Sequence, residues 1–448
     1  MSAGSIVAVT LGIGFVIAAA WLSWRRPSTL LAVALASLAV RPQLFFGGPD
    51  VGYEWGLHHT LLLLAMVVNA LRYGIRRSMN WPLVALVAAF ALSLAGGAVH
   101  PKLSLAFMAM SLAIFALPWC FTSVILEPGS RRGLALVIML TPLLSVAIGA
   151  LMALAGIRPG FLELDRMEGA TGNAAAFAIL AFAGFVVALH EMSRPGRPFA
   201  GGLAVVNLAL VILSGTRMAI AAAGVFLVAY LLLSDSLRQR LQAHRTRTAA
   251  SAAALVAALL WYWPALEPRL FEDARELETV LAGDADASVN LSGRDKVWRF
   301  YLEEFTFSPL FGRGMGTGFV AAADWLRWPR TTPHNEYLHV LVNTGAVGFV
   351  LCAAAIFLWY RSLLRAASEN DQPFLLALAP ALAIFAITED ILGFSTGLAV
   401  FAYLGILLTR RSTRPLPPRV AKPPRRRRRG AARAKAGDSS RSGAILSA

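Results

Sequence analysis

Long apolar windows constrain this chain more than any other feature. A helix that spans the hydrocarbon core of a bilayer needs about 20 mostly apolar residues. Windows of that kind recur almost from end to end of the 448-residue sequence, separated by short clusters of Arg, Pro and Gly. Hydrophobic residues make up 57% of the chain and charged residues only 15%, so the composition is not that of a water-soluble protein. The windows are approximately 4–22, 29–46, 56–71, 81–97, 103–126, 134–155, 171–189, 199–213, 217–233, 248–263, 337–359, 372–390 and 394–410.

These windows predict an all-α polytopic membrane protein with about 12–13 transmembrane helices. The predicted organisation has four parts. They are N-terminal transmembrane helices in 1–263, a large, partly helical periplasmic loop in 264–333, C-terminal transmembrane helices in 334–410, and a disordered basic cytoplasmic tail in 411–448.

Arginine residues alternate between connections in a way that predicts the orientation. Loops on the cytoplasmic side of membrane proteins carry an excess of Lys and Arg. If every window crosses the membrane, the short loops of one side hold only Arg41, Lys102, Arg158, Arg166 and Arg217. The N-terminus and the 264–333 loop are therefore predicted outside and the C-terminus inside. The opposite, arginine-rich side would hold Arg25, Arg26, Arg72, Arg76, Arg77, Arg131, Arg132, Arg194, Arg197, Arg238, Arg240, Arg245, Arg247, Arg361, Arg365 and the tail.

The 264–333 loop is too long for a passive connector, which favours a functional element. Leucines at helical spacing in Pro268–Leu281 predict a helix lying on the membrane surface. Ser292–Asp295 resembles a capping box, and it predicts a second helix that continues to Phe305.

The net charge of +16 does not indicate a nucleic-acid partner, because 13 of the 41 Lys and Arg residues lie in 410–448. The run Arg425–Arg429 is expected to be attracted to anionic lipid head groups instead. Cys120 and Cys352 both fall in apolar windows, so the sequence indicates neither a disulfide framework nor a thiolate metal site.

Candidate functional residues collect where predicted helices begin at the outer face. Such helix ends offer unpaired N–H groups and the positive end of a dipole to an anion. Ser214–Arg217 is a predicted tight turn that places Arg217 in a first helical turn. Thr332 is a predicted N-cap, which would put His334 in the first turn of the next long span.

The segment Arg166–Asn173 adds Arg166 and Glu168 before a third such helix. Arginine beside lipid is costly unless it is paired, and it binds phosphate oxygens bidentately. The pattern indicates a site for a phosphate or pyrophosphate at the membrane surface. The alternatives are a snorkelling Arg217 and a helix-end His334 whose ring is already hydrogen-bonded.

Weaker patterns favour structural explanations. Asp284 and Asp286 have the spacing of a metal and nucleotide-sugar motif but fall in a predicted loop tip. The glycines at every second position in Gly312–Gly318 lack the Lys of a P-loop, so a turn with close backbone approach is favoured over a phosphate cradle. His334 and His339 do not share a helix face, which argues against a metal pair.

Glu389 and Asp390 end a predicted span on the outer side. An ordinary interfacial position is favoured for both. The alternative is that they orient an arginine or His334.

Several motifs resemble the O-antigen ligase and polymerase superfamily. His334–Gly348 is similar to its signature of His-Asn-x-Tyr-Leu followed by Gly-x-x-Gly. Upstream segments resemble the family's Arg-x-x-Gly and Ser-x-Ser-Arg motifs, with Thr216 in place of the second serine. These two upstream segments are Arg166–Asn173 and Ser214–Arg217. Arg294–Trp298 and Ser308–Gly316 are similar to the stretch that leads into the His334–Gly348 signature.

The resemblance implies a glycosyltransferase that needs no metal or other cofactor. Its donor would be a glycan on undecaprenyl pyrophosphate at the periplasmic face of the bacterial inner membrane. Its acceptor would be lipid A-core or another lipid-linked glycan. A polymerase of the same superfamily is the alternative, and a lipid-linked glycan transporter is the alternative from another class.

The motifs also assign roles. Arg217 and Arg294 are expected to neutralise the leaving pyrophosphate. His334 is expected to act as a base whose ring the helix N-terminus keeps neutral, or else as a cationic ligand of the pyrophosphate. The remaining predicted substrate-binding residues are Arg166, Glu168, Asn335 and Tyr337.

Overall fold

The structure, a computed structural model, describes eleven ranges and several short pieces of the chain. The ranges are 21, 27–40, 52–75, 80–126, 130–156, 162–163, 166–197, 199–243, 294–321, 332–393 and 395–408, and the pieces between them are 245–246, 249–250, 253, 256–257, 260–261 and 263–264.

The regular elements of the described residues are helices, apart from one antiparallel pair of two-residue strands, β1 (Leu162–Glu163) and β2 (Arg166–Met167), and an isolated bridge between Ile75 and Val124. The predicted all-α polytopic class is confirmed. Short 3₁₀ turns cover Gly169–Thr171 and Ser395–Gly397. The α-helices are α1 (Pro27–Ser37), α2 (Gly52–Tyr73), α3 (Trp81–Ala95), α4 (Leu105–Ser123), α5 (Arg131–Leu154), α6 (Ala174–Met192), α7 (Ala200–Leu213), α8 (Arg217–Leu233), α9 (Asp235–Ala243), α10 (Arg294–Thr306), α11 (Thr317–Val320), α12 (Glu336–Ala366), α13 (Gln372–Phe385) and α14 (Leu398–Leu408).

Within the described ranges, four helices are long and apolar enough to cross a membrane: α4, α5, α6 and α12. A fifth span results if α8 and α9 count as one helix bent by 92°. Every predicted window from 29 to 233, and every window from 337 onward, contains a helix. The total of 12–13 spans stays a prediction.

Three other predictions fall outside the described residues. They are the first window apart from residue 21, the surface helix at 268–281 and the tail at 411–448.

Helix α6 forms the centre of the core. A helix that is apolar all round belongs in a protein core or in lipid, and α6 is buried among the other elements along almost its whole length. Phe182 packs edge-on against Phe385 of α13, with ring centroids 5.6 Å apart. Phe185 packs in the same way against Phe226 of α8, at 6.1 Å. The two contacts fix α8 and α13 beside the central helix.

Buried ion pairs tie the helices together where α6 ends. Glu191 is fully buried and lies between three arginines. Its carboxylate is 2.9 Å from Arg197 Nε, and 3.6 Å from both Arg131 Nη2 and Arg194 Nη1. Tyr403 of α14 donates a hydrogen bond to it at 2.8 Å. Arginines that the sequence assigns only to the positive-inside pattern therefore also hold helix ends together.

Asp371 extends these contacts to the start of α13. Its carboxylate pairs with Arg194 and accepts a hydrogen bond from Ser368 Oγ at 2.7 Å. It also lies 3.2 Å from His190 Nε2, whose other ring nitrogen is 2.7 Å from Tyr230 Oη. We call this end of the bundle the network end and the opposite end the site end.

Candidate functional site

Helix α12 begins later than the sequence predicts. Its N-cap is Asn335, whose side-chain oxygen accepts a hydrogen bond from Leu338 N–H at 3.0 Å. The prediction of Thr332 as the cap is therefore wrong. Asn is among the best capping residues because its short side chain reaches the free N–H groups of the first turn, and here it displaces the cap by three residues.

His334 consequently precedes the helix and does not lie in its first turn. Its φ of 46° is in the left-handed region, which is uncommon for residues other than glycine and is concentrated at functional sites. Trp298 of α10 holds the segment, because its indole N–H donates to Pro333 O at 2.8 Å. The helix dipole is thus not the main influence on this imidazole.

Glu389 joins His334 to Arg294. This carboxylate is 1% exposed. It accepts a hydrogen bond from Arg294 Nη2 at 2.9 Å and lies 3.8 Å from His334 Nδ1. A buried carboxylate needs such partners to remain charged. The arginine and the histidine that the sequence singles out are therefore held by one shared acidic group.

The carboxylates also set the protonation of His334. Burial lowers its pKa, but Glu389 and Asp390 raise it by more, against a smaller opposing effect of Arg294. The pKa of His334 therefore lies above its ordinary value of 6.5. The sequence-based argument that a helix N-terminus keeps this ring neutral is wrong, because the ring lies outside the helix and faces carboxylates.

Asp390 forms a second buried contact behind the first. Its Oδ1 is 3.5 Å from Nδ1 of His339, a fully buried ring that packs edge-on between Phe115 and Phe319 at 4.9 and 4.5 Å.

Arg166 and Arg217 meet at the turn between α7 and α8. Arg217 is the first residue of α8, and Gly215 has a φ of 61°. The predicted tight turn is therefore present. Arg166 donates from Nε to Ser214 O at 3.0 Å and from Nη2 to Thr216 Oγ1 at 2.9 Å. The two arginines predicted to bind substrate thus belong to one local structure.

The two groups of residues lie at the same end of the bundle. Thr216 Oγ1 is 3.4 Å from Ala174 O, at the first residue of α6. The Phe182–Phe385 contact brings the end of α13 beside the first half of the same helix, and Glu389 follows directly. The Arg166–Arg217 turn and the Arg294–Glu389–His334 cluster therefore share the site end.

A glycine-rich segment supports α12 below His334. Gly312 lies so close to α12 that an added Cβ would be 2.5 Å from Asn343 O, and one on Gly345 would be 2.4 Å from Leu310 O. A Cβ on Gly318 would overlap the His339 ring at 1.9 Å. Because backbone and rings fill this space, the contacts agree with close backbone approach and leave no phosphate cradle at these three glycines.

The remaining predicted residues have structural contacts of their own. Asn335 caps α12, and Tyr337 donates its hydroxyl hydrogen bond to Ala383 O at 2.8 Å. Glu168 is 1% exposed, at the start of the 3₁₀ turn before α6. Whether substrate also contacts these three residues stays a prediction.

Glu389 is the residue that sequence reasoning undervalued. The favoured interpretation was an ordinary interfacial position, with orientation of an arginine or His334 as the alternative. In the structure Glu389 contacts both Arg294 and His334, as in the alternative. The available signal was two adjacent acids at the outer end of an apolar window, which is rare in membrane helices unless the acids are paired.

Comparison with protein families supports the resemblance. Residues 202–353 match the family model described as O-antigen ligase, which supports the O-antigen ligase-like superfamily and a ligase- or polymerase-like membrane enzyme. The match contains Arg217, Arg294 and His334 but stops before Glu389. A comparison with curated proteins gave no match to this chain.

Proposed function

We propose, from the match to the O-antigen ligase family, that this chain is a membrane glycosyltransferase. It moves a glycan from undecaprenyl pyrophosphate onto a sugar hydroxyl of lipid A-core or of another lipid-linked glycan. The observation that carries the proposal is the Arg294–Glu389–His334 cluster. It lies at the same end of the bundle as the helix that begins at Arg217.

The proposed reaction is a direct displacement. The acceptor oxygen attacks the anomeric carbon, the bond from that carbon to the pyrophosphate oxygen breaks, and the hydroxyl proton leaves the acceptor. His334 receives this proton in the base mechanism. The leaving group departs as undecaprenyl pyrophosphate and carries the electron pair of the broken bond.

Arginine suits the leaving group. A guanidinium has five N–H donors, and Glu389 accepts from only one nitrogen of Arg294 in the described contacts. The remaining donors are the right type for pyrophosphate oxygens. Arg217 adds its charge at the positive end of the α8 dipole.

The raised pKa of His334 has two consequences for this scheme. As a base, the imidazole must first lose its proton, and the raised pKa makes it a stronger acceptor once neutral. As a cation, it would instead bind the pyrophosphate beside Arg294. The base role remains our proposal, and the pH dependence described in the Discussion separates the two.

We expect purified protein to release undecaprenyl pyrophosphate from a synthetic undecaprenyl pyrophosphate glycan in the presence of an acceptor and excess EDTA. Mass spectrometry of the lipid product and of the extended acceptor measures the reaction. Loss of activity in EDTA that added Mg²⁺ restores would contradict the metal-independent mechanism. No transfer to any acceptor would contradict the proposed function.

The choice of acceptor separates the two enzymes of this superfamily. Parallel reactions contain either lipid A-core or a second copy of the lipid-linked glycan. Extension of lipid A-core alone identifies a ligase, and extension of the lipid-linked glycan alone identifies a polymerase. Movement of intact donor across a vesicle membrane without transfer would favour the transporter.

We also propose that the site end faces the periplasm of the bacterial inner membrane and that the C-terminus is cytoplasmic. The distribution of arginines supports this orientation. A single cysteine at Ser288, after Cys120 and Cys352 are changed to serine, is expected to react with an impermeant maleimide added from outside spheroplasts. A matched cysteine at Ser439 in the tail should react only after lysis. Labelling in the reverse order would overturn the orientation.

A further inference from the structure

A cavity of about 450 Å³ lies between α12 and α13, with α4 and α14 behind it. Its walls are almost entirely apolar, and it extends from Tyr337 and Ala386 at the site end to Leu363 and Leu375 nearer the network end. We call it the α12–α13 groove. Its wall includes Trp119, Ala353, Trp359, Leu378, Ala379 and Phe401.

Two tyrosines connect these helices at unequal spacing. Tyr337 donates to Ala383 O at 2.8 Å and Tyr360 to Leu375 O at 3.4 Å. The two tyrosines are 23 residues apart along α12, whereas the two carbonyls are only eight residues apart along α13. Helix α12 also bends at Gly345, where φ is 68°. The two helices therefore do not run side by side, and a gap remains between the ties.

A buried polar group lines the site end of the groove. Glu336 is 7% exposed and lines the cavity. Its Oε2 accepts a hydrogen bond from Leu392 N–H at 3.0 Å, but its Oε1 has no hydrogen-bond partner among the described residues. Buried polar atoms in proteins nearly always have a partner. In its protonated form the carboxyl group can donate a hydrogen bond from this oxygen to a polar head that lies at this level.

We propose that the α12–α13 groove binds the lipid chain of the glycan donor, with the chain meeting its polar head at Glu336. This inference rests on the proposed function. Glu336 follows His334 by two residues, and it accepts its hydrogen bond from Leu392, which follows Glu389 by three residues. A chain in the groove therefore begins beside the charged cluster. The apolar walls suit a hydrocarbon, and the cluster suits the phosphates attached to it.

The size of the groove favours one chain. Pockets of about 300–1,000 Å³ hold one small ligand, so this one takes a segment of a single polyprenyl chain. It is too small for the several acyl chains of a lipid A acceptor. Since its polar end adjoins the residues proposed to bind pyrophosphate, we assign the chain to the donor.

Two neighbouring alanines allow a matched test. Ala353 lines the groove, whereas Ala354 is also exposed but does not line it. We expect Ala353→Trp to lower kcat/KM for the undecaprenyl donor about tenfold or more, equivalent to about 1.4 kcal/mol of lost binding. Ala354→Trp is expected to change it little. A farnesyl pyrophosphate donor, whose chain is too short to fill the groove, should be affected much less by Ala353→Trp.

Equal effects of both tryptophans, or equal effects on both donors, would overturn the assignment. Photocrosslinking provides a second measurement that does not need turnover. Undecaprenyl phosphate carrying a diazirine in its chain is expected to label α12 or α13 in the wild type and much less in Ala353→Trp. Unchanged labelling, or full competition by phosphatidylglycerol at equal concentration, would show a general lipid surface. Absence of transfer with intact specific labelling would count against the proposed function and not against the groove.

Discussion

Replacing His334 by alanine is expected to lower kcat for glycan transfer by about 10²–10⁴-fold, the usual contribution of a positioned general base. The side chain is 37% exposed and precedes α12, so its loss should leave the fold intact. Release of undecaprenyl pyrophosphate measures the rate, and thermal unfolding in detergent measures stability. Activity that is unchanged in His334→Ala would remove this residue from the mechanism.

Lys102→Ala is a suitable control for this substitution. Lys102 is an exposed cation in the turn that follows α3. His100 of the same turn donates its N–H to Arg313 O at 2.8 Å, which places the turn beside the glycine-rich segment. We expect this variant to retain wild-type kcat. A similar loss in both variants would indicate a general effect of removing positive charge.

The pH profile separates the two roles of His334. If the imidazole is the base, kcat/KM should rise as pH increases through its raised pKa, because only the neutral ring accepts a proton. If the imidazolium binds pyrophosphate, kcat/KM should fall over the same range. In either case, the change in kcat/KM with pH that His334 causes should be absent from the His334→Ala variant.

The second large effect is expected for Glu389→Gln. This change removes the charge that Arg294 and His334 share while nearly preserving side-chain shape. We expect a loss of at least about 100-fold in kcat/KM, the scale of losing well-positioned catalytic groups. We also expect a decrease of roughly 1–3 kcal/mol in the free energy of unfolding, the cost of weakening a buried charged hydrogen bond.

The direction of the pH shift makes this test specific. Glu389 raises the pKa of His334, so its neutralisation should lower that pKa. The corresponding inflection in kcat/KM should therefore move to lower pH. A profile in which the inflection does not move would contradict coupling between these two residues.

Glu304→Gln is the matched control for this substitution. Glu304 pairs with Arg313 at 3.4 Å and, like Glu389, is largely buried. It has no described contact with His334. The control should cost some stability but leave the inflection where it is. An equal shift in both variants would indicate a general electrostatic effect.

Local sequence patterns were sufficient for the helices and for one group of site residues. Apolar windows reflect the thickness of the bilayer, so they predicted helices that the structure contains. Gly215 permits a tight turn because it accepts a positive φ, so the start of α8 at Arg217 was predictable from neighbouring residues. The motif around His334 was sufficient for the family resemblance that the match over 202–353 supports.

Local patterns were insufficient where two caps compete or where partners are distant. Thr332 and Asn335 are both good caps, and the start of α12 depends on which side chain reaches a free N–H. Because Asn335 forms the cap, His334 lies outside the helix. Its pKa is therefore raised by neighbouring carboxylates and is not lowered by the helix dipole. Only the structure shows which cap forms.

Glu389 lies 95 residues from Arg294 in sequence, and no spacing rule joins such residues. Their contact depends on how α10, α12 and the end of α13 pack. The same is true of the α12–α13 groove, whose walls come from four helices, of which α4 is distant in sequence from the others. The sequence by itself therefore determined a membrane-embedded helical chain with arginine and histidine at helix starts. The tertiary structure decided which acid holds them, because packing alone brings distant helix ends together.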